Sequence, residues 1–208
     1  MVQNHRREMN RRIQRYFDER AARWDEIMPA DVAQAVAALT ARLNVRPGQR
    51  VLDVGAGTGT LARVLQPRVG AGGRIVSLDL ARGMTEMLLR QRPDASVVPV
   101  QADAMRPPFA PAAFDWVVCN NCFPHFEDQA RAVGALGAVL RPGGRLVVCH
   151  TSSREDINAH HCQIGGLVGG HELPDDTTMR GYFTGAGLRV ATLENAANHY
   201  LAIAERPQ

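Results

Sequence analysis

A chain of 208 residues, 45% hydrophobic and 22% charged, is long enough for one sizeable core and reads as one globular domain, at most two. All 24 of its basic residues are arginine, which excludes a Schiff-base lysine, a phosphate-loop lysine and the catalytic lysines of many transferases. The net charge of +3 is modest, no run reaches the ~18 apolar residues of a membrane span, and "MVQNHRREMNRRIQRYF" has no apolar stretch behind its charges; no membrane partner or secretory leader is expected, and the cytoplasm is the default.

Met9, Ile13, Phe17 and Trp24 recur at helical spacing and predict a first amphipathic helix. Arg6, Arg7, Arg11, Arg12 and Arg15 make its one dense basic patch, either a solvated helix face or a contact for RNA phosphates. Asp31 is placed to cap a second helix with Val32, Val36, Leu39 and Leu43 on one face. "RVLDV", 50–54, is the first strand, and the helix after "GAGTG" is expected to stop at Pro67. "RIVSLD", 74–79, is the second strand; a helix over 82–91 ends before Pro93, and "SVVPVQAD" is the third. "FDWVVCN" is the fourth strand, "EDQARAVGALGAVL" a helix ending at the "RPGG" turn, and "RLVVCH" the fifth. Five strands alternating with helices predict an α/β fold with a parallel sheet covered on both faces and ligands at the strands' carboxyl ends. "GLRVATLEN" and "NHYLAIAER" predict an antiparallel pair at one edge.

Cys119, Cys122, Cys149 and Cys162 suit a reducing compartment, and Cys119-Asn-Asn-Cys122, with no second pair at zinc-ribbon spacing, reads as structural rather than redox-active.

"VLDVGAGTGTLA" fits two cofactors. Residues 57–62 satisfy the dinucleotide pattern G-x-G-x-x-A. Against a dinucleotide stands Asp53, whose carboxylate would oppose a pyrophosphate but suit a ligand carrying an amine and a sulfonium, such as S-adenosylmethionine. Gly55, Gly57 and Gly59 let backbone approach that ligand. Asp79 ends the second strand where a carboxylate can accept both ribose hydroxyls, and Asp103 follows the third strand, placed for an adenine amine.

With "VLDVGAGTG", Asp79, "QAD" ending at Asp103, "FDWVVCN" and "LRPGGRLVV", residues 13–150 resemble the class I S-adenosylmethionine-dependent methyltransferases, within them the UbiE/COQ5-like small-molecule group. The resemblance implies a Rossmann-like, seven-stranded, mostly parallel sheet with a reversed last strand. It also implies a methionine end at Gly55, Gly57 and Gly59, ribose at Asp79 and adenine at Asp103, with Leu80, Ala104 and Asn120 as neighbouring contacts. By the same analogy "YFDERAARWDE" resembles a segment closing over the cofactor, with Tyr16 and Trp24 as contacts; packing of Phe17 and Trp24 on the core is the alternative. The chain then divides into a helical cap (1–45), a cofactor core (46–150), a substrate-side helical insert (151–187) and a terminal strand pair (188–208). "NNCFPHFED" replaces the N-P-P-Y-like sequence of amino-methylating nucleic-acid enzymes, and no Pro-Cys dipeptide is present, so a nucleic-acid acceptor is disfavoured.

Methyl transfer from a sulfonium needs alignment and, for a protonated nucleophile, a base. His125, His150, His160, His161 and His171 fall where acceptor residues are expected, with His125, His161 and His171 as the catalytic candidates. Ser152 with Glu155 suggests a capping box and Gly165-Gly166 a stop, putting Asn158, His161 and Cys162 on one helix face and His160 on another. A base or hydrogen-bond partner, a metal site built from His161, His171 and a third ligand, and imidazoles satisfied by neighbours all remain open; no metal is assigned. Tyr182 and Phe183 are the only aromatics in 151–187, which favours a compact thiol, sulfide or hydroxyl acceptor over a prenylated quinone. A quinone or phenol ring acceptor, an RNA or protein acceptor and a nicotinamide-dependent oxidoreductase are the alternatives.

Overall fold

The computed structural model describes residues 2–91 and 93–208, with backbone alone for residues 2–7. Helix α1 (Val2–Asp18) leads through a 3-10 turn (Ala21–Arg23) into α2 (Trp24–Ile27) and α3 (Val32–Thr40). Then follow β1 (Arg50–Val54), α4 (Thr60–Val69), β2 (Arg74–Asp79), α5 (Arg82–Arg90), β3 (Val97–Gln101), β4 (Phe114–Asn120), a 3-10 turn (Phe123–His125) and α6 (Gln129–Ala138). The chain closes with β5 (Leu140–His150), α7 (Arg154–Ile164), α8 (Asp176–Gly185), β6 (Arg189–Ala196) and β7 (His199–Glu205).

The strands form one seven-stranded sheet in the order β3-β2-β1-β4-β5-β7-β6. The first five are parallel, and β7 runs antiparallel between β5 and β6, so the edge pair expected from periodicity is present. Alternation sorts the core: Leu52 and Val54 of β1 face a cluster with Leu136, Met179 and Phe183, while Val51 faces Val36, Leu39, Leu65 and Val69. The order reverses between β1 and β4, which opens a crevice at their carboxyl ends. Among the described residues no helix is long and apolar enough to cross a membrane.

Local departures from expectation have local causes. The chain turns after Asp18, so Trp24 starts α2 instead of extending the first helix. Asp31 stands at the cap position of α3, but its side chain makes no capping bond. Pro67 lies inside α4 without stopping it, because burial of Leu65 and Val69 holds the last turn in place. The cap of α7 is one residue later than predicted: Ser153 accepts from Asp156 N–H at 3.1 Å and donates to the Asp156 carboxylate at 2.6 Å. The "RPGG" segment belongs to β5 because it pairs with the tail of β7, Gly143 N–H donating to Arg206 O at 2.8 Å. Arg11, Arg12 and Arg15 are solvated on α1; the side chains of Arg6 and Arg7 lie outside the described residues.

Candidate active site

The crevice between β1 and β4 widens into a cavity of about 630 Å³, within the range of small-molecule sites. Its floor is the loop after β1. Gly55 has φ +65°, and a Cβ there would stand 2.5 Å from the Cβ of Cys122; Gly57 has φ +55°, and a Cβ there would come 3.5 Å from the Trp24 indole nitrogen. A side chain is thus shut out by lack of space at Gly55 and strained by the left-handed backbone at both positions, so the loop presents bare backbone.

Three carboxylates meet this floor. Asp53 is 1% exposed and lies in register with Ser77, whose hydroxyl is 3.5 Å away. Burial and the neighbouring Asp79 raise its pKa to about 7. Asp79 accepts the amides of Gly57 and Ala81, each at 2.8 Å; burial still raises its pKa to about 6 against those bonds. Asp103 accepts from Met105 N–H at 2.9 Å and from the Asn10 amide at 3.0 Å. Paired buried carboxylates with raised pKa values favour a cation, and the lone pairs left on Asp79 and Asp103 suit hydroxyl and amine donors. The residues present fit S-adenosylmethionine and oppose a pyrophosphate.

Each of the expected cofactor residues, Tyr16, Trp24, Asp53, Gly55, Gly57, Asp79, Leu80, Asp103, Ala104 and Asn120, lines the cavity except Gly59, which caps α4 with φ +92°. The N-terminal segment covers the floor through three side chains: Asn10 on Asp103, Asp18 accepting from Gly83 N–H at 2.7 Å, and Asp25 accepting from the Thr58 hydroxyl at 2.5 Å. Phe17 and Trp24 pack edge to face at 5.6 Å while both line the cavity, so packing and ligand contact coincide in them.

The histidines gather on the other side. His125, from the turn after β4, and His161, from α7, line the cavity with ring centres 4.9 Å apart. His171 stands behind them, off the cavity wall, its Nδ1 3.0 Å from that of His125 and its carbonyl accepting from His161 Nδ1 at 2.6 Å. Burial, then the other imidazoles, pushes His125 well below its ordinary pKa; burial also lowers His171, and lowers His161 against the opposing pull of the His171 carbonyl. Among the described residues no group of three or more His, Cys, Asp or Glu side chains is arranged to hold a metal ion.

His150, placed by the sequence among the acceptor-side histidines but not among the catalytic candidates, is 4% exposed at the end of β5, lines the cavity and has its pKa lowered to about 3 by burial and then by His161. Its place at a strand's carboxyl end was the available signal. His160 also lines the cavity. Cys119 and Cys122 are buried; Cys122 donates to Val54 O at 3.0 Å, and burial raises its thiol well above the usual range, which leaves it inert. Tyr182 and Phe183 do not line the cavity; its aromatics are Tyr16, Phe17, Trp24 and Phe126, from elements that the 151–187 segment does not contain. The premise for a compact acceptor therefore missed most of the stacking surface.

A methyltransferase-domain family model matches residues 52–148. Demethylmenaquinone methyltransferase of Renibacterium salmoninarum is 36% identical over 146 residues, 65% of this chain and 60% of that protein. The ubiquinone/menaquinone biosynthesis C-methyltransferase UbiE of Vibrio cholerae is 29% identical over 184 residues, 76% of this chain and 71% of that protein. A SAM-dependent methyltransferase from Aquifex aeolicus shares the fold with a TM-score of 0.73 at 16% identity, covering 91% of this chain and 98% of that one.

Proposed function

The chain belongs to the class I S-adenosylmethionine-dependent methyltransferases, in the UbiE/COQ5-like family, and from that premise we propose that it methylates a small hydroquinone-type ring carrying an apolar substituent. The observation that carries this reading is the apolar rim of the cavity. The exposed large hydrophobic residues of the described chain are Ile27, Leu89 and Ile164, and two of them, Ile27 at 53% and Ile164 at 48% exposed, line the cavity. Met28, Pro29 and Val32 continue the rim beside Ile27, and Val168 lies beside Ile164. Exposed apolar side chains at a cavity mouth are unfavourable unless something apolar covers them. The names of the two relatives point to the same acceptor class.

S-adenosylmethionine supplies a methyl group already activated on sulfur, so the chain's work is binding, orientation and water exclusion. Asp53 would face the cationic amine and sulfonium, Asp79 the ribose and Asp103 the adenine, while Phe17, Phe126 and Ile157, which also line the cavity, would give the acceptor ring apolar contact. The chained acceptor is preferred to a small thiol, sulfide or hydroxyl compound because such a molecule would leave the rim uncovered. With labelled cofactor, a short-chain demethylmenaquinol is expected to take up label in preference to a small thiol. Ile164→Asp should raise the KM for the chained quinol about tenfold and leave a chainless quinol within about twofold. Label on the thiol alone would defeat the proposal.

A further inference from the structure

We propose that His161 is the base that accepts the acceptor's hydroxyl proton, held in a single tautomer by the main-chain carbonyl of His171, and that Asn158 positions that carbonyl. The inference deepens the hydroxyl-bearing acceptor proposed above and rests on that reading.

Asn158 and His161 lie three residues apart on α7, on the same face. The Asn158 side chain grips one residue of the facing segment at two points: its amide donates to Leu173 O at 3.1 Å, and its oxygen accepts from Leu173 N–H at 2.8 Å. Leu173 is itself buried in the core, 1% exposed, so the clamp ties the segment down from both sides. Two residues earlier stands the His171 carbonyl, 2.6 Å from His161 Nδ1. A carbonyl can only accept. Nδ1 must therefore carry the ring proton, and Nε2 keeps the lone pair of a neutral imidazole. His161 lines the cavity, and with Nδ1 engaged by the His171 carbonyl, Nε2 is the ring nitrogen left for the acceptor.

The neighbouring imidazoles lack this arrangement. Nδ1 of His125 is engaged with Nδ1 of His171, where either ring can hold the shared proton. His150 is almost wholly buried, and burial holds its pKa near 3, too low to take a proton at neutral pH. The titratable groups around His161 are thus His160 on its own helix, His125 after β4, His150 on β5 and His171 on the facing segment.

In the step, the acceptor's O–H bond breaks, its proton goes to Nε2 and its electron pair stays on oxygen. The activated ring carbon then bonds the methyl carbon as the carbon–sulfur pair leaves with sulfur. The hydrogen on that ring carbon departs as a proton, the imidazolium returns its proton to oxygen, and one proton is released overall.

The test uses the full chain labelled with 15N-histidine. Two-bond proton–nitrogen correlations should show His161 protonated at Nδ1 in the wild type, and a shift toward Nε2–H in Asn158→Ala. For the short-chain demethylmenaquinol, Asn158→Ala should lower kcat about tenfold with KM nearly constant. Asn158→Asp, which keeps the acceptor for Leu173 N–H, should fall between the two and guards against a folding defect. His161→Gln should lower kcat at least about a hundredfold and remove the acid limb of its pH profile. His171→Ala retains the carbonyl and should lose several-fold less activity than His161→Gln. Nε2–H in the wild type, or an acid limb surviving in His161→Gln, would overturn the proposal. Should the wild type leave the quinol unmethylated, the acceptor reading fails, while the nitrogen spectra still decide the tautomer.

Discussion

Asp53 is where burial and ligand charge meet. With its pKa near 7, it keeps its proton through the acid side of neutrality until a cation arrives. Binding a cationic cofactor requires the ionised form, so affinity rises with pH and levels off above about 7. Calorimetry should find S-adenosylmethionine bound about tenfold more weakly at pH 6 than at pH 8. Asp53→Asn should flatten that profile near its acid-side value; an unchanged slope would contradict the role given to this carboxylate. Gly55 answers to geometry instead. Its Ala variant would set a Cβ 2.5 Å from Cys122 at a φ of +65°, and should lower Tm by roughly 2–10 °C. Both residues were legible in sequence because a strand pattern ending at a glycine turn fixes where they point. The deep burial of His150 and the Asn158 clamp were not. Their roles depend on which distant elements close around them, and local spacing carries no record of that.

Among elements, the N-terminal segment has the clearest mechanical consequence. Asp18 and Asp25 tie it to Gly83 N–H and the Thr58 hydroxyl beside the cofactor floor. If each bond contributes about 1 kcal/mol, the double variant Asp18→Ala/Asp25→Ala should speed cofactor dissociation by about tenfold or more. Association should change little, and the quenching of Trp24 fluorescence would follow both rates by stopped flow. Equal dissociation rates would show that the segment packs without retaining ligand. Strands were read closely because a short continuous apolar run bounded by turns leaves a strong pattern, as in Arg50–Val54 and Phe114–Asn120, which are buried at nearly every position. Helix limits were read less well: tertiary burial of Val69 overrode Pro67, and adjacent serines left the cap of α7 ambiguous by one residue.

For the whole molecule, the imidazoles link stability to pH. A folded-state pKa below the unfolded value means that the unfolded chain takes up more protons. The stability held by His150 is therefore present above about pH 6.5 and is lost as pH falls toward 3. Asp53 and Asp79, with raised values, favour the folded state at acid pH and lose that contribution toward pH 6–7. Comparing His150→Phe with the wild type isolates the histidine: denaturant unfolding at pH 6.5 and 4.5 should show the wild type losing about 2 kcal/mol more than the variant. Equal losses would mean that His150 is protonated in the folded state. The sheet order places this cluster opposite the carboxylates, and the cavity between them is what the family's chemistry requires. Acceptor identity was the least legible feature, because alignment of a nucleophile demands shape more than any fixed residue type.

The central proposal is that a carboxylate-floored, apolar-rimmed cavity brings a sulfonium methyl to a quinol ring. The direct measurement is carbon NMR of the product formed from 13C-methyl-labelled S-adenosylmethionine and a short-chain demethylmenaquinol. An aryl methyl resonance is expected, absent without enzyme and strongly reduced in His161→Gln. A quinol left unlabelled while a small thiol acquires the label would contradict the account.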